Sequence, residues 1–280
     1  MAAMTDQYEG LQSGGAAPGP ELTIRVIGVS DINEAWEQGL RDFRAAPAYG
    51  LVLGGVYAAA GILLVLGVAA LGLSYLIYPL AAGFVFIGPF AAVGLYEVSR
   101  RREANMALTW RAVVGVIVEQ RHRQLAWMGL VTVFFFIVWM YQVQLLIALL
   151  LGTHTFASLN EFLAALTTTP EGILFLLLGN GIGVLLSLVL FSVTFVSFPL
   201  LLDRDVDFVT AMITSVRATI TNPLPAIGWA ITIVLLLILA SLPFFLGLVI
   251  VLPILGYTTC HLYRKLVVSE PTEPTPKQYS

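Results

Sequence analysis

The chain has 280 residues, of which 58% are hydrophobic and 11% charged, with a formal net charge of −3. So few charges cannot cover so much apolar side chain in water, which excludes a soluble globule and makes the bilayer the solvent. One cysteine, Cys260, excludes an internal disulfide and a cysteine-only metal or iron–sulfur site.

Residues 1–28 hold acids, Gly and Pro in place of a basic patch followed by an apolar run. They read as a disordered cytoplasmic tail with no cleavable signal, leaving the first span to direct insertion. Asp31-Ile32-Asn33-Glu34 then offers a capping-box-like helix start, and Ile32, Ala35, Trp36, Leu40 and Phe43 recur at helical spacing opposite Asn33, Glu37, Gln38, Arg41 and Arg44. This pattern predicts an interfacial helix over about 31–46, with Trp36 and Phe43 in the headgroups and Pro47 ending it.

Apolar tracts at about 50–72, 76–97, 125–151, 172–199, 224–241 and 243–263 approach the ~20 residues that a crossing helix needs. Two further interfacial helices are expected over about 104–119, from Met106, Trp110, Val113, Val114 and Ile117, and over about 207–221, from Phe208, Met212, Val216 and Ile220 before Pro223. The turns Gly72-Leu73-Ser74-Tyr75 and Ser241-Leu242-Pro243 are short enough for re-entrant pairs. Full crossings are the reading adopted, because a re-entrant fold leaves backbone groups unpaired in lipid. Residues 267–280, with Pro271, Pro274 and Pro276, read as a second disordered tail. The expected fold is therefore all-α, an integral membrane bundle of six transmembrane helices over 29–266.

Ala35, Trp36, Gly39, Leu40 and Pro47 align without a gap on Ala211, Met212, Ser215, Val216 and Pro223, and Pro89 precedes Arg100-Arg101 by the interval at which Pro253 precedes Arg264-Lys265. These correspondences predict three pseudo-repeated units, each an interfacial helix followed by a helix hairpin. All fourteen Lys and Arg residues fall in the tails and in the connections after the second and fourth spans. Retention of basic residues inside then places both termini in the cytoplasm.

No ionisable residue lies mid-span. Glu97, one turn before Arg100 and Arg101, reads as an ion pair anchoring a helix end; the arginines read as a stop-transfer cluster in reach of lipid phosphates. Asp203, with Arg204 beside it, alternates with Asp205 and Asp207 as in a calcium loop, but Phe208 and Thr214 stand where that loop needs Gly and Glu, so capping of the next helix by Asp205 or Asp207 is expected. Polar span residues such as Gln142, Gln144 and Asn180 are expected to pack helices. Of three histidines, His122, His154 and His261, only His261 lies near a span, where a hydrogen bond with Tyr257, Arg264 or Lys265 is expected over metal ligation. Glu97, Arg100, Arg101, Asp203, Arg204 and His261 are the candidate residues. No catalytic, cofactor or metal site is assigned.

Tyr96-Glu97-Val98-Ser99-Arg100-Arg101-Arg102-Glu103, Leu201-Leu202-Asp203-Arg204-Asp205-Val206, Asn222-Pro223 with Trp229, and Pro253-Ile254-Leu255-Gly256 leading to His261-Leu262-Tyr263-Arg264 together resemble a bacterial integral membrane family catalogued as domain of unknown function 2189. The resemblance covers roughly residues 24–266 and implies a multi-pass protein of the bacterial cytoplasmic (inner) membrane. Some members are labelled cytochrome c oxidase subunits, which the histidine count here does not support; Tyr257 and Cys260 stand where the family often has His and Trp. The leading expectation is a non-enzymatic accessory or organising subunit without cofactor, whose partners are the lipid bilayer and a membrane protein or second copy, not nucleic acid. The alternatives are a small transporter or channel for an uncharged or hydrophobic solute and, third, an oxidase-associated subunit.

Overall fold

The computed structural model describes residues 22–73, 76–84, 88, 92–118, 123–152 and 159–269. Residues 1–21 and 270–280, together with Pro89, His122 and His154, lie outside that set. Among the described residues the chain is all-α apart from one small sheet. Helix α1 (Val29–Ala45) starts at Gly28, three residues before the expected cap; Asp31 occupies its third position, and its Oδ2 accepts the Gly28 backbone N–H at 2.9 Å. Helix α2 (Pro47–Ala70) follows after one residue, Ala46, at φ −135° and ψ 56°. Proline has no N–H to lose at a first helical position, so Pro47 ends one helix and begins the next.

The chain continues through α3 (Ile77–Phe84), α4 (Val93–Glu103), α5 (Trp110–Val118), α6 (Arg123–Leu146, extended by a π-helical turn Ile147–Leu151), α7 (Leu159–Thr168), α8 (Pro170–Thr194) and α9 (Ser197–Asp203). Helices α10 (Phe208–Thr221), α11 (Pro223–Ser241) and α12 (Leu248–Leu266) complete it. Among the described residues, four segments are long and apolar enough to cross a membrane: Pro47–Ala70, Gln124–Leu151, Pro170–Asp203 and Pro223–Ser241. The tract at 76–97 is described as α3 and the start of α4, and that at 243–263 runs into α12, which is buried almost throughout from Leu255 to Leu266.

Among the described residues, side-chain contacts pair these helices into three hairpin-like sets. Helix α2 pairs with α3 and α4, where Tyr57 donates to the Phe84 carbonyl at 2.8 Å and Leu53 abuts Gly94. Helix α6 pairs with α8 where the Trp139 ring lies against Gly183, and α11 pairs with α12 where Trp229 Nε1 donates to Thr259 Oγ1 at 3.3 Å. Each amphipathic helix lies on the return arm of the preceding hairpin: α5 on α4, α10 on α8 and α9, and α1 on α12, which closes the ring.

The buried face of α1 is Ala35, Gly39 and Asp42; the aligned Ala211, Ser215 and Ala218 are buried on α10. The α10–α11 junction repeats the α1–α2 bend, with Asn222 at φ −125° and ψ 57° before Pro223. Small side chains explain the close approach, since a methyl group on Gly39 would lie 2.8 Å from the Thr258 backbone nitrogen. With α1 so close to α12, Trp36 meets Trp229 edge-on at 6.4 Å and Phe43 lies against Gly50, so both half-buried rings also pack on protein.

Strand β1 (Leu22–Ile24) pairs antiparallel with β2 (Val267–Ser269), Thr23 opposite Val268. The inner edges of both expected tails are thus ordered against each other, and the chain enters and leaves on one side of the molecule.

Candidate functional site

The three hairpins return to a common layer of charged side chains. Glu97 on α4 has a fully buried side chain; its two oxygens accept from Arg100 Nε and Nη2 at 2.7 and 2.9 Å and from Arg101 Nε at 2.6 Å. Arg101 also donates to the Ala107 carbonyl at 3.1 Å, fastening the loop after α4. The expected helix-end ion pair is present in this geometry, with both arginines sharing one carboxylate.

His261 on α12 does not bond to its own helix as the sequence suggested. Its Nε2 lies 2.9 Å from Asp42 Oδ2 of α1, and its Nδ1 lies 2.8 Å from Glu103 Oε1 of α4. Asp42 is a further junction, accepting from Ser99 Oγ at 2.7 Å and from Arg102 Nη1 at 2.5 Å. Glu103 also pairs with Arg264. Asp203 at the end of α9 accepts from Tyr263 Oη at 3.0 Å and lies 3.9 Å from Arg264 Nη2 and 3.8 Å from Arg204 Nε. Four helices are therefore joined by one set of carboxylates, and both imidazole nitrogens of His261 face carboxylate oxygens. An axial metal or haem ligand needs one of those nitrogens released, so the arrangement does not suit ligation.

Lys265 extends the layer toward the start of α1, reaching Glu34 Oε2 at 2.6 Å and Asp31 Oδ1 at 3.4 Å. The bond to Glu34 raises the Lys265 pKa, whereas the Gly28 N–H, and after it Lys265, lower that of Asp31. Asn222 ties in the α10–α11 junction, accepting from the Ile27 N–H at 2.8 Å and donating to the Arg25 carbonyl at 3.1 Å. Of the two capping candidates, Asp207 is the one used: its Oδ1 accepts the Thr210 N–H at 2.9 Å. A cavity of about 30 Å³ lined by Gln124 and Leu201–Val206 has room for about one water, not for an organic substrate.

Glu97, Arg100 and Arg101 thus form one cluster, and Asp203, Arg204 and His261 join a second through Arg264 and Glu103. Sequence reasoning missed Asp42, Ser99, Glu103 and Tyr263, and read Arg102 only as part of the stop-transfer cluster Arg100-Arg101-Arg102. Asp42 was readable, since Ala35, Gly39 and Asp42 share one helical stripe; the others gave no local signal of their partners, which lie 57 to 162 residues away.

The segment that carries Glu97 through Asp203 is also the one that resembles a known family. Residues 77–203 match the family of predicted integral membrane proteins DUF2189. No curated protein and no solved structure matches the chain. The DUF2189 segment runs from α3 to the end of α9, a shorter stretch than the resemblance implied, and supplies one side of the ionic layer. Asp42 and His261, on α1 and α12, lie outside it.

Proposed function

We propose that this integral membrane protein is a non-enzymatic accessory or organising subunit acting through contacts with lipid or with another membrane protein, a second copy included. One observation carries the reading: the side chains able to do chemistry are spent on one another. Glu97, Asp42, Glu103, Asp203 and His261 each bond to a neighbour in the layer, which clamps helix ends together. The outward faces of the long helices are apolar, as at Leu177, Val184 and Leu185 of α8. Such a body offers a rigid surface within the membrane and a charged rim at one side. The arginine distribution supports a cytoplasmic rim with both termini beside it, and the family resemblance a bacterial inner membrane.

Mild-detergent purification is expected to retain a reproducible protein or lipid companion, read by mass spectrometry. Repeated recovery of the bare chain would count against the accessory role. A tag placed after Gly152 is expected to be reached only from outside the cell; access only from the interior would reverse the sidedness.

One observation favours the transport reading. Gln142, in the last turns of α6, has both amide atoms buried with no hydrogen-bond partner among the described residues. By contrast, Asn180 is on the exposed side of α8, its amide donating to the Leu176 carbonyl at 2.8 Å. A solute path past Gln142 predicts flux into reconstituted vesicles that Gln142→Leu abolishes; absence of flux over a broad panel of neutral solutes would remove it.

A further inference from the structure

The third hairpin stops well short of the other two. A methyl group on Gly61 of α2 would lie 3.4 Å from the Phe245 ring at the α11–α12 tip and 3.3 Å from the Phe84 ring. Beyond Gly61, α2 continues for nine residues to Ala70, about 14 Å at 1.5 Å per residue. Gly83, beside Phe84, faces Trp139, and from there α6 and its π turn run twelve residues to Leu151, about 18 Å. On the charged side, α12 rises only eleven residues from Thr258, packed on Gly39, to Gly247. That is about 16 Å, roughly half of the hydrocarbon thickness.

The composition of the tip agrees with that depth. Ser241-Leu242-Pro243-Phe244-Phe245-Leu246-Gly247 carries no charge, and Leu242, Phe244 and Leu246 are 72%, 83% and 61% exposed. The far end of the second hairpin differs, with Asn160, Glu161 and Glu171 on α7 and α8. The tip backbone also supplies its own partners. Phe245 N–H donates to Ser241 at 3.0 Å, Leu246 to Pro243 at 3.1 Å, Leu248 to Phe245 at 3.0 Å and Val249 to Leu246 at 3.2 Å, while Pro243 has no N–H. The Ser241 hydroxyl is bonded to the Leu237 carbonyl at 2.7 Å. The cost that disfavours a re-entrant turn in lipid, unpaired backbone groups, is largely met inside the turn.

We infer that the α11–α12 hairpin enters the bilayer from the side of the ionic layer, turns within the hydrocarbon and returns, so that its tip rests on acyl chains. The chain then makes four full crossings around a wedge confined to one leaflet, in place of six. The inference rests on the two longer hairpins crossing the membrane and is independent of the accessory role.

Leu242→Cys and Phe244→Cys test it, both at exposed positions, with the wild-type chain and its buried Cys260 as the blank and Asn160→Cys as the far-side control. A membrane-impermeant maleimide applied to vesicles of each orientation is expected to label Asn160→Cys from the far side only. The tip thiols should stay unlabelled from both sides and react fully after denaturation in SDS. A bimane on Phe244→Cys should be quenched most by lipids brominated near the chain end. Labelling of either tip thiol from the far side would overturn the wedge. So would a bimane that no brominated lipid quenches, which would mean that protein covers the tip. An Asn160→Cys silent from both faces would remove the crossing of the second hairpin, and the wedge with it.

Discussion

Glu97 is the residue where burial and charge are most tightly coupled. Its carboxylate is enclosed and neutralises two arginines whose side chains are 28% and 18% exposed. Glu97→Gln keeps the shape but leaves two cations facing one neutral amide; partial exposure lets them rotate outward, so we expect a loss of about 2–3 kcal/mol and not the full penalty of an enclosed broken pair. The denaturation midpoint in mild detergent reports it, and an unchanged midpoint would mean that the pair is incidental. Asp207 makes a milder, pH-dependent contribution. The Thr210 hydroxyl and N–H hold its carboxyl below the ordinary value of 3.8, so its stabilisation is present above that value and disappears as pH falls through the lower folded-state pKa. Asp207→Ala should cost about 1 kcal/mol near neutrality. The difference from wild type should close in acid, and a gap that persisted there would show that the cap acts through something other than its charge.

Helix packing in this fold is set by where side chains are missing. On α2, Gly50 and Gly54 admit Pro253, and on α1, Gly39 admits the backbone of Thr258. Gly55, by contrast, faces open space. Gly39→Ala should force α1 from α12 at a cost of about 1–3 kcal/mol, and Gly55→Ala should be neutral or stabilise by up to about 1 kcal/mol. Comparing the two melting transitions isolates packing from helix propensity; equal shifts would refute the close contact. The long apolar helices and the proline-marked junctions at Pro47 and Pro223 were legible in the sequence because they depend on local pattern alone. The direction of the amphipathic faces was only half legible. Apolar stripes such as Phe208, Met212, Val216 and Ile220 marked a membrane-facing side, and Ile220 is 71% exposed, but they did not show that the packed side of α10 is the small and hydroxyl-bearing one. In a lipid solvent large apolar groups gain nothing by turning inward, so small residues mark the helix interface.

Across the whole molecule the ionic layer joins distant parts of the chain, and that is why the sequence reached its members one by one but not their partners. Glu97 with Arg100 and Arg101 is a local motif, whereas Asp42 and His261 are 219 residues apart and meet only because α1 closes the ring on α12. The same closure gives the body a taper. Near the ionic layer α11 and α12 add to the cross-section, while beyond Gly61 the third hairpin has ended and α2 continues to Ala70. A body wider on one side relieves strain where the leaflet on that side is stretched, as in the outer leaflet of a small vesicle. Reconstituted into a mixture of small and large vesicles, the protein should therefore be enriched per lipid in the small ones, with its ionic layer facing outward. Size fractionation followed by far-side labelling of Asn160→Cys measures both quantities. An even spread over vesicle sizes with random orientation would mean that the third hairpin adds equally to both leaflets, which a one-leaflet wedge cannot do.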